Sequence, residues 1–427
     1  MKKEMSGLNK TGKVQQMKLE KSQNLHQRAL EIIPGGTNTN SKRVETFLSP
    51  KFFPTYIERG EGAYVWDLDG NRYIDYVASL APINIGYNIK RINDKIRQQL
   101  EKGILFSLPS SSEVELAEVL IEKIPGAEMV RFLKTGAEVT SAAVRLARVV
   151  TGKDMILSCD YHGWHDWWSA KIGASGIPQC FQELITDFPF NDFETLEKLV
   201  QQHDGNVACI IMTAASYGIE PKNDFLQKVR KLADEKGILL IFDEIITGFR
   251  WALGGAQEKY DVIPDLAAFG KGMANGMPIS ALVGKKEYMS KITETFVTST
   301  FASEAVSIAA SLETIRILEE ENVMRRLYEI TDKLREGLRQ ISESHQIGIN
   351  LFDPTPVVKF EIDLEIENSR ETASIEFMKY CTENGLLIRR YGTEFSLCPM
   401  ASHSDEDIEV SLEVFDKALK YAKEKSN

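Results

Sequence analysis

Leu240-Ile241-Phe242-Asp243-Glu244-Ile245-Ile246-Thr247-Gly248-Phe249-Arg250 decides the fold. A short apolar run of strand length stops abruptly at two adjacent acids. Open α/β sheets bind their ligands just beyond the carboxyl ends of their strands, so this is where a working carboxylate would stand. An isolated Asp-Glu pair reads first as a cap on the next turn. Working outward, similar apolar runs occur at Met129 to Leu133, Met155 to Ser158, Ala208 to Met212, Leu266 to Phe269 and Ile279 to Val283. Glu113 to Lys123, Glu138 to Val150 and Phe225 to Glu235 carry helical periodicity between or beside them. Strands alternating with helices predict a large α/β domain with a mainly parallel sheet flanked by helices.

The two ends of the chain follow another pattern. Tyr64-Val65-Trp66 and Arg72 to Tyr76 flank Asp69-Gly70-Asn71, which is a hairpin signal. Ser303 to Ser344 reads as one long helical stretch, and strand-like runs follow at Val357 to Ile362 and Leu386 to Arg389. Helices are expected at Thr372 to Asn384 and Asp405 to Ala422. These predict a smaller α+β domain made of residues 1–85 and 316–427, with the large domain over 86–315.

Composition limits the function. Apolar residues make up 43% and charged residues 26%, as in ordinary globular chains. A net charge of −11 argues against a general nucleic-acid binder, which needs a basic face. Five scattered cysteines without a Cys-x-x-Cys pair predict reduced thiols in a cytoplasmic protein. No apolar run reaches the length of a membrane span, and the basic lead-in Met1 to Gln23 has no apolar h-region, so a secretory signal is not expected.

Three further stretches carry chemistry. In Phe269-Gly270-Lys271-Gly272, a lysine between glycines at the end of an apolar run can approach a ligand closely, and lysine is the side chain that forms imines. A solvated loop lysine is the plain alternative for any single Gly-Lys-Gly. Lys134-Thr135-Gly136-Ala137-Glu138 turns a strand into a helix start, where free backbone N–H groups attract anions. Asp160 to Trp168 packs two histidines and three tryptophans into one polar stretch, which predicts a pocket wall rather than core. No further His/Cys cluster supports His162, His165 and Asp166 as metal ligands, so no metal is expected.

Together, with Glu58 to Tyr76, Tyr161-His162-Gly163, Asp243 to Arg250 and Phe269 to Pro278 in order, the chain resembles the class III (subgroup II) aminotransferases of pyridoxal 5′-phosphate (PLP) fold type I. Within them it is most similar to the glutamate-1-semialdehyde aminomutase branch. The resemblance implies that Lys271 is the Schiff-base lysine and general base. It implies that Asp243 pairs with the pyridinium nitrogen, and that Tyr161 and Ile245 cover the two ring faces. His162 would be among the cofactor's contacts, and Gly136 and Ala137 would offer N–H groups to the phosphate. Thr300 would reach the phosphate of a neighbouring subunit, implying a homodimer with shared active sites.

Several positions depart from the aminomutases. Their arginine for the substrate carboxylate falls at Lys42, or at Arg43 after a one-residue shift. Their tryptophan before Gly-Pro is Leu80, and their Glu-Pro after the apolar run at Ile210-Ile211 is Met212-Thr213. These differences favour an intermolecular aminotransferase, using a small amino donor such as glutamate and a keto or aldehyde acceptor. The alternatives are the intramolecular aminomutase, a lyase or racemase, and a catalytically silent binding protein; the presence of both Lys271 and Asp243 speaks against the last.

Overall fold

The computed structural model of the protein describes residues 17–48, 51–345, 347–363 and 367–426. The lead-in expected over Met1 to Gln23 lies outside the described residues as far as residue 16, and a helix runs over Glu20–Ile32. The chain forms two compact units. One holds Ala81–Asn84 and Lys90–Met324; the other holds the described residues up to Leu80, with Ile85–Ile89 and the chain from Arg325 onward.

The first unit is built on a seven-stranded sheet. Its order is Met129–Leu133, Ser280–Gly284, Leu266–Phe269, Leu239–Asp243, Val207–Met212, Met155–Ser158 and Ile185–Asp187. Ser280–Gly284 runs antiparallel to both neighbours, and every other pairing is parallel, so the sheet is mixed and mostly parallel as the alternating pattern predicts. Val207–Met212 and Leu239–Asp243 are buried at every residue. A strand covered on both faces has no solvent side to alternate with, which is why these read as continuous apolar runs. Ile185–Asp187, three residues at a sheet edge, makes no such run.

The helix Gly136–Thr151 buries Val139, Ala142, Ala143, Leu146 and Ala147. These small and branched side chains join Ile211, Ile241, Ala268 and Leu282 of the sheet in one core. Gly152, at φ +66°, ends the helix in the left-handed conformation. The long helical stretch expected from Ser303 to Ser344 is instead two helices, Ala305–Glu320 and Val323–His345. They break where Asn322 takes a positive φ of 49°. Among the described residues, no helix is long and apolar enough to cross a membrane.

The second unit contains two four-stranded sheets. In one, Ile57–Glu61, Tyr64–Asp67 and Arg72–Asp75 form an antiparallel meander, and Leu386–Leu387 adds parallel to Arg72–Asp75. The other is antiparallel in the order Gly348–Leu351, Val358–Asp363, Glu394–Leu397, Arg389–Tyr391. The single strand expected at Leu386 to Arg389 therefore divides between two sheets, with buried Ile388 at the turn. Val358–Asp363 alternates buried and half-buried residues, as a sheet with one covered face does. Its inner face carries Phe360, which stacks on Phe395 at 5.0 Å; Phe377 sits edge-on to Phe395 at 5.0 Å and stacked with Phe415 at 5.8 Å.

Removing the shared member of this aromatic cluster leaves a cavity that close-packed neighbours cannot fill. Phe377→Ala is expected to destabilise its unit by about 3–5 kcal/mol in urea unfolding; a loss below about 1 kcal/mol would contradict the packing described.

Candidate active site

A cavity of about 410 Å³ opens at one edge of the seven-stranded sheet. Its lining follows from strand direction. Lys134 to Ala137 follow Leu133, Tyr161 to Trp164 follow the strand ending at Ser158, and Thr213 follows Met212. Asp243 to Ile246 end or follow the central strand, and Lys271 follows Phe269. Gly276 to Ile279 enter from the antiparallel strand's start. Parallel strands deliver these segments to a common edge, so residues far apart in sequence line one space.

At the helix start, Thr135 and Glu138 form a reciprocal capping box. Glu138 accepts from the N–H groups of Thr135 (2.8 Å) and Lys134 (2.9 Å), and Thr135 Oγ1 accepts from Glu138 N–H at 3.3 Å. Gly136 and Ala137, whose N–H groups this box does not use, line the cavity at the positive end of a 16-residue helix. Gly163 closes over them at φ +110°, and a Cβ there would come within 2.7 Å of Ala137 Cβ, so only glycine fits. Ser280 Oγ donates to Thr135 carbonyl at 3.0 Å and pins the helix start to the neighbouring strand.

Asp243 is only 5% exposed yet lines the cavity. Its Oδ1 accepts from Ile245 N–H at 3.0 Å and its Oδ2 from His162 Nδ1 at 2.7 Å. A carboxylate is an acceptor, so Nδ1 carries the proton. His162 is buried against Trp167, with parallel rings 6.4 Å apart, and its carbonyl accepts from Thr140 Oγ1 at 2.7 Å. The ring thus holds the carboxylate in one orientation.

Glu244 takes a different course. It is fully buried, and its carboxylate accepts from the Thr247 hydroxyl and from the N–H groups of Ala256 (2.9 Å) and Gln257 (2.8 Å). Burial pushes its pKa up to about 7, against the lowering effect of those three donors. The acid pair therefore divides into one carboxylate that faces the cavity and one that ties down the following turn.

Lys271 lines the cavity with φ +40°. The glycine after it is required by packing: a Cβ on Gly272 would lie 2.4 Å from Asn84 Nδ2, which donates to Phe249 carbonyl at 2.7 Å. Tyr161 is 63% exposed at the cavity, with its ring edge-on to Trp168 at 4.7 Å.

The tryptophan-rich stretch is a pocket wall over Tyr161 to Trp164 and core beyond it. Trp167 and Trp168 are buried and belong to the sheet core, and only Trp164 of the three lines the cavity. His165 Nδ1 pairs with Ser141 Oγ at 2.7 Å. Thr300 lies in an exposed turn and is not among the cavity's lining residues. In the other unit, Lys42 and Arg43 are exposed and line a cavity of about 380 Å³ with Phe47, Phe53 and Tyr56. Lys134 and Thr213, neither of them expected as a site residue, also line the cavity. Lys134 is paired with Glu304 at 3.1 Å, and its place just before the Thr-Gly turn was the available signal.

The residues present fit a flat, anionic, ring-bearing cofactor. A carboxylate held by His162, a lysine and a helix start with two N–H groups outside its capping box all line the cavity.

Glu244 also makes stability depend on pH. Its carboxyl ionises near 4.5 in an ordinary setting and near 7 here, so its contribution is present below pH 4.5 and is lost as pH rises toward 7. The stability gap between the wild type and Glu244→Gln should narrow over that window by about 1–3 kcal/mol in urea unfolding. A gap that does not change with pH would mean that this carboxyl ionises normally.

Comparison with known proteins adds to the geometry. Residues 49–419 match the family model for aminotransferase class III. Glutamate-1-semialdehyde 2,1-aminomutase of Archaeoglobus fulgidus is 34% identical over 432 residues, covering 94% of this chain and 100% of its own. The 3-aminobutyryl-CoA aminotransferase of Cloacimonas acidaminovorans is 35% identical over 414 residues, covering 95% and 98%. Among solved structures, the FumI protein of Sphingopyxis in its PLP internal aldimine form superposes with a TM-score of 0.87 at 29% identity, covering 94% of this chain and 96% of its own. An omega-transaminase from Sphaerobacter thermophilus superposes with a TM-score of 0.82 at 27% identity, covering 94% and 98%.

Proposed function

The chain belongs to the class III aminotransferases, and from that membership we propose that its cavity holds PLP and moves an amino group from a small donor to a keto or aldehyde acceptor. One observation carries the site assignment: Lys271, the His162-braced Asp243 and the Gly136–Ala137 helix start line the same cavity. When bound, PLP supplies an electron-withdrawing ring that acidifies the C–H bond beside an attached amino group.

The protein's own groups do the rest. Asp243 holds a proton at the ring nitrogen, and His162 and the Ile245 N–H keep the carboxylate turned toward it. Gly136 and Ala137 receive the phosphate at the helix start. Tyr161 and Ile245 flank the ring. Lys271 Nζ would anchor the cofactor through its amine and, once displaced by the donor's amino group, would be free to take the proton from the donor carbon and deliver it to the cofactor side. The donor would leave as a carbonyl compound on uptake of one water, its amino group being held in the cavity until a carbonyl acceptor takes it up with loss of one water and leaves as an amine. A substrate carboxylate is assigned to Lys42 or Arg43, of which only the arginine offers paired N–H donors.

The enzyme is proposed to act as a cytoplasmic homodimer, with Thr300 serving the partner's phosphate site. Support comes from exposed apolar side chains on both sides of that residue, Phe296 (86%) and Phe301 (60%), and from Leu108 (79%). A hydrogen bond from Ala305 N–H to Ile104 carbonyl (2.9 Å) ties the two segments together. Large apolar side chains left this exposed favour cover by another chain.

The second reading, an intramolecular aminomutase, is favoured by the name of the Archaeoglobus relative. One experiment separates them. PLP added to the purified protein should give a visible absorbance band, and borohydride reduction followed by peptide mapping should place the cofactor on Lys271. In Lys271→Ala, PLP is expected to bind without being fixed. L-Glutamate should bleach the wild-type band and release 2-oxoglutarate. A band that responds only to glutamate-1-semialdehyde, without release of a keto acid, would favour the aminomutase. No band, or fixation at another lysine, would overturn the site assignment.

A further inference from the structure

Asp160 stands immediately before Tyr161, and its backbone has φ +75°, in the left-handed region that disfavours side chains other than Asn and Asp. Four donors hold it there. The Thr213 hydroxyl donates to Oδ2, and Ser216 Oγ donates to Oδ1 at 3.4 Å. The Asp160 carbonyl accepts from the Trp168 indole N–H and from Lys171 Nζ, each at 3.1 Å. Lys171 is itself fixed, 2.6 Å from Asp187 and 4.9 Å from the Trp168 ring. Trp168 meets the Tyr161 ring edge-on.

The arrangement joins two neighbouring strand ends. Met155–Ser158 and Val207–Met212 pair in parallel, and the segments that leave them are linked by the side chains of Asp160 and Thr213. Tyr161, by contrast, is largely exposed, and its ring meets that of buried Trp168 edge-to-face.

We propose that the Asp160 carboxylate, tied to Thr213 and Ser216, makes Asp160 a positioning residue that sets the angle at which the Tyr161 ring faces the cavity. This depends on Tyr161 contacting bound PLP, as proposed above. A residue that acts through another must lose its effect when the other is gone, which a double-mutant cycle measures directly.

The test uses the holoenzyme and two readouts, visible circular dichroism per bound PLP and the rate of PLP release on dilution. Asp160→Ala should weaken the dichroism and speed release roughly tenfold. Asp160→Gly keeps the left-handed backbone accessible but lacks the carboxylate, and should behave like Asp160→Ala. Thr213→Val, which leaves Asp160 and Tyr161 in place, should shift both readouts in the same direction by less. In a Tyr161→Leu background, Asp160→Ala should add nothing further. Additive effects in that background, or wild-type behaviour of Asp160→Gly, would overturn the role of Asp160 while leaving PLP binding intact. A wild-type protein that shows no PLP band would instead remove the parent assignment, and this inference with it.

Discussion

Shared strand direction is the constraint on which the site depends. Five neighbouring strands run parallel, and Met129–Leu133 points the same way although the antiparallel Ser280–Gly284 separates it from them. Each parallel strand therefore releases its chain at the same edge. A lysine, a carboxylate, an aromatic ring and a helix start separated by scores of residues come to one cavity without any long excursion. Burial on both faces fixes the strands against slipping, and a slip of one residue would turn Asp243 and Lys271 away from that edge.

At the edge, neighbouring residues of similar chemistry are put to different uses. Asp243 and Glu244 are adjacent acids, yet one faces the cavity with a histidine behind it and the other is sealed among three donors. The stretch from Asp160 to Trp168 divides in the same way. Tyr161 and Trp164 reach the cavity, while Trp167 and Trp168 pack beneath them. Chain direction alone does not decide which side chain goes which way; the decision lies with the partners that the fold supplies.

This explains what sequence could and could not reveal. The strands were legible because double-sided burial writes itself as unbroken apolar runs, as at Val207–Met212. The helix starting at Gly136 was legible because its cap and turn chemistry is local. Lys271 and Asp243 fall on the cavity because each sits just past such a run. The break at Asn322 was not legible, since asparagine in a polar stretch gives no warning of a positive φ. Nor were the links from Asp160 to Thr213 and from His162 to Asp243, which join residues more than fifty positions apart through side chains alone.

The pairing of distant strands also has a meaning in time. Met129–Leu133 finds its neighbour only when Ser280–Gly284 has been made, and Arg72–Asp75 waits more than three hundred residues for Leu386–Leu387. During synthesis the meander can form locally, but one edge of Arg72–Asp75 and the whole of Met129–Leu133 must wait for strands made much later. Such high contact order predicts slow maturation and a need for protection of the nascent chain. A ribosome that stopped before Leu386 would leave the first meander without its parallel partner.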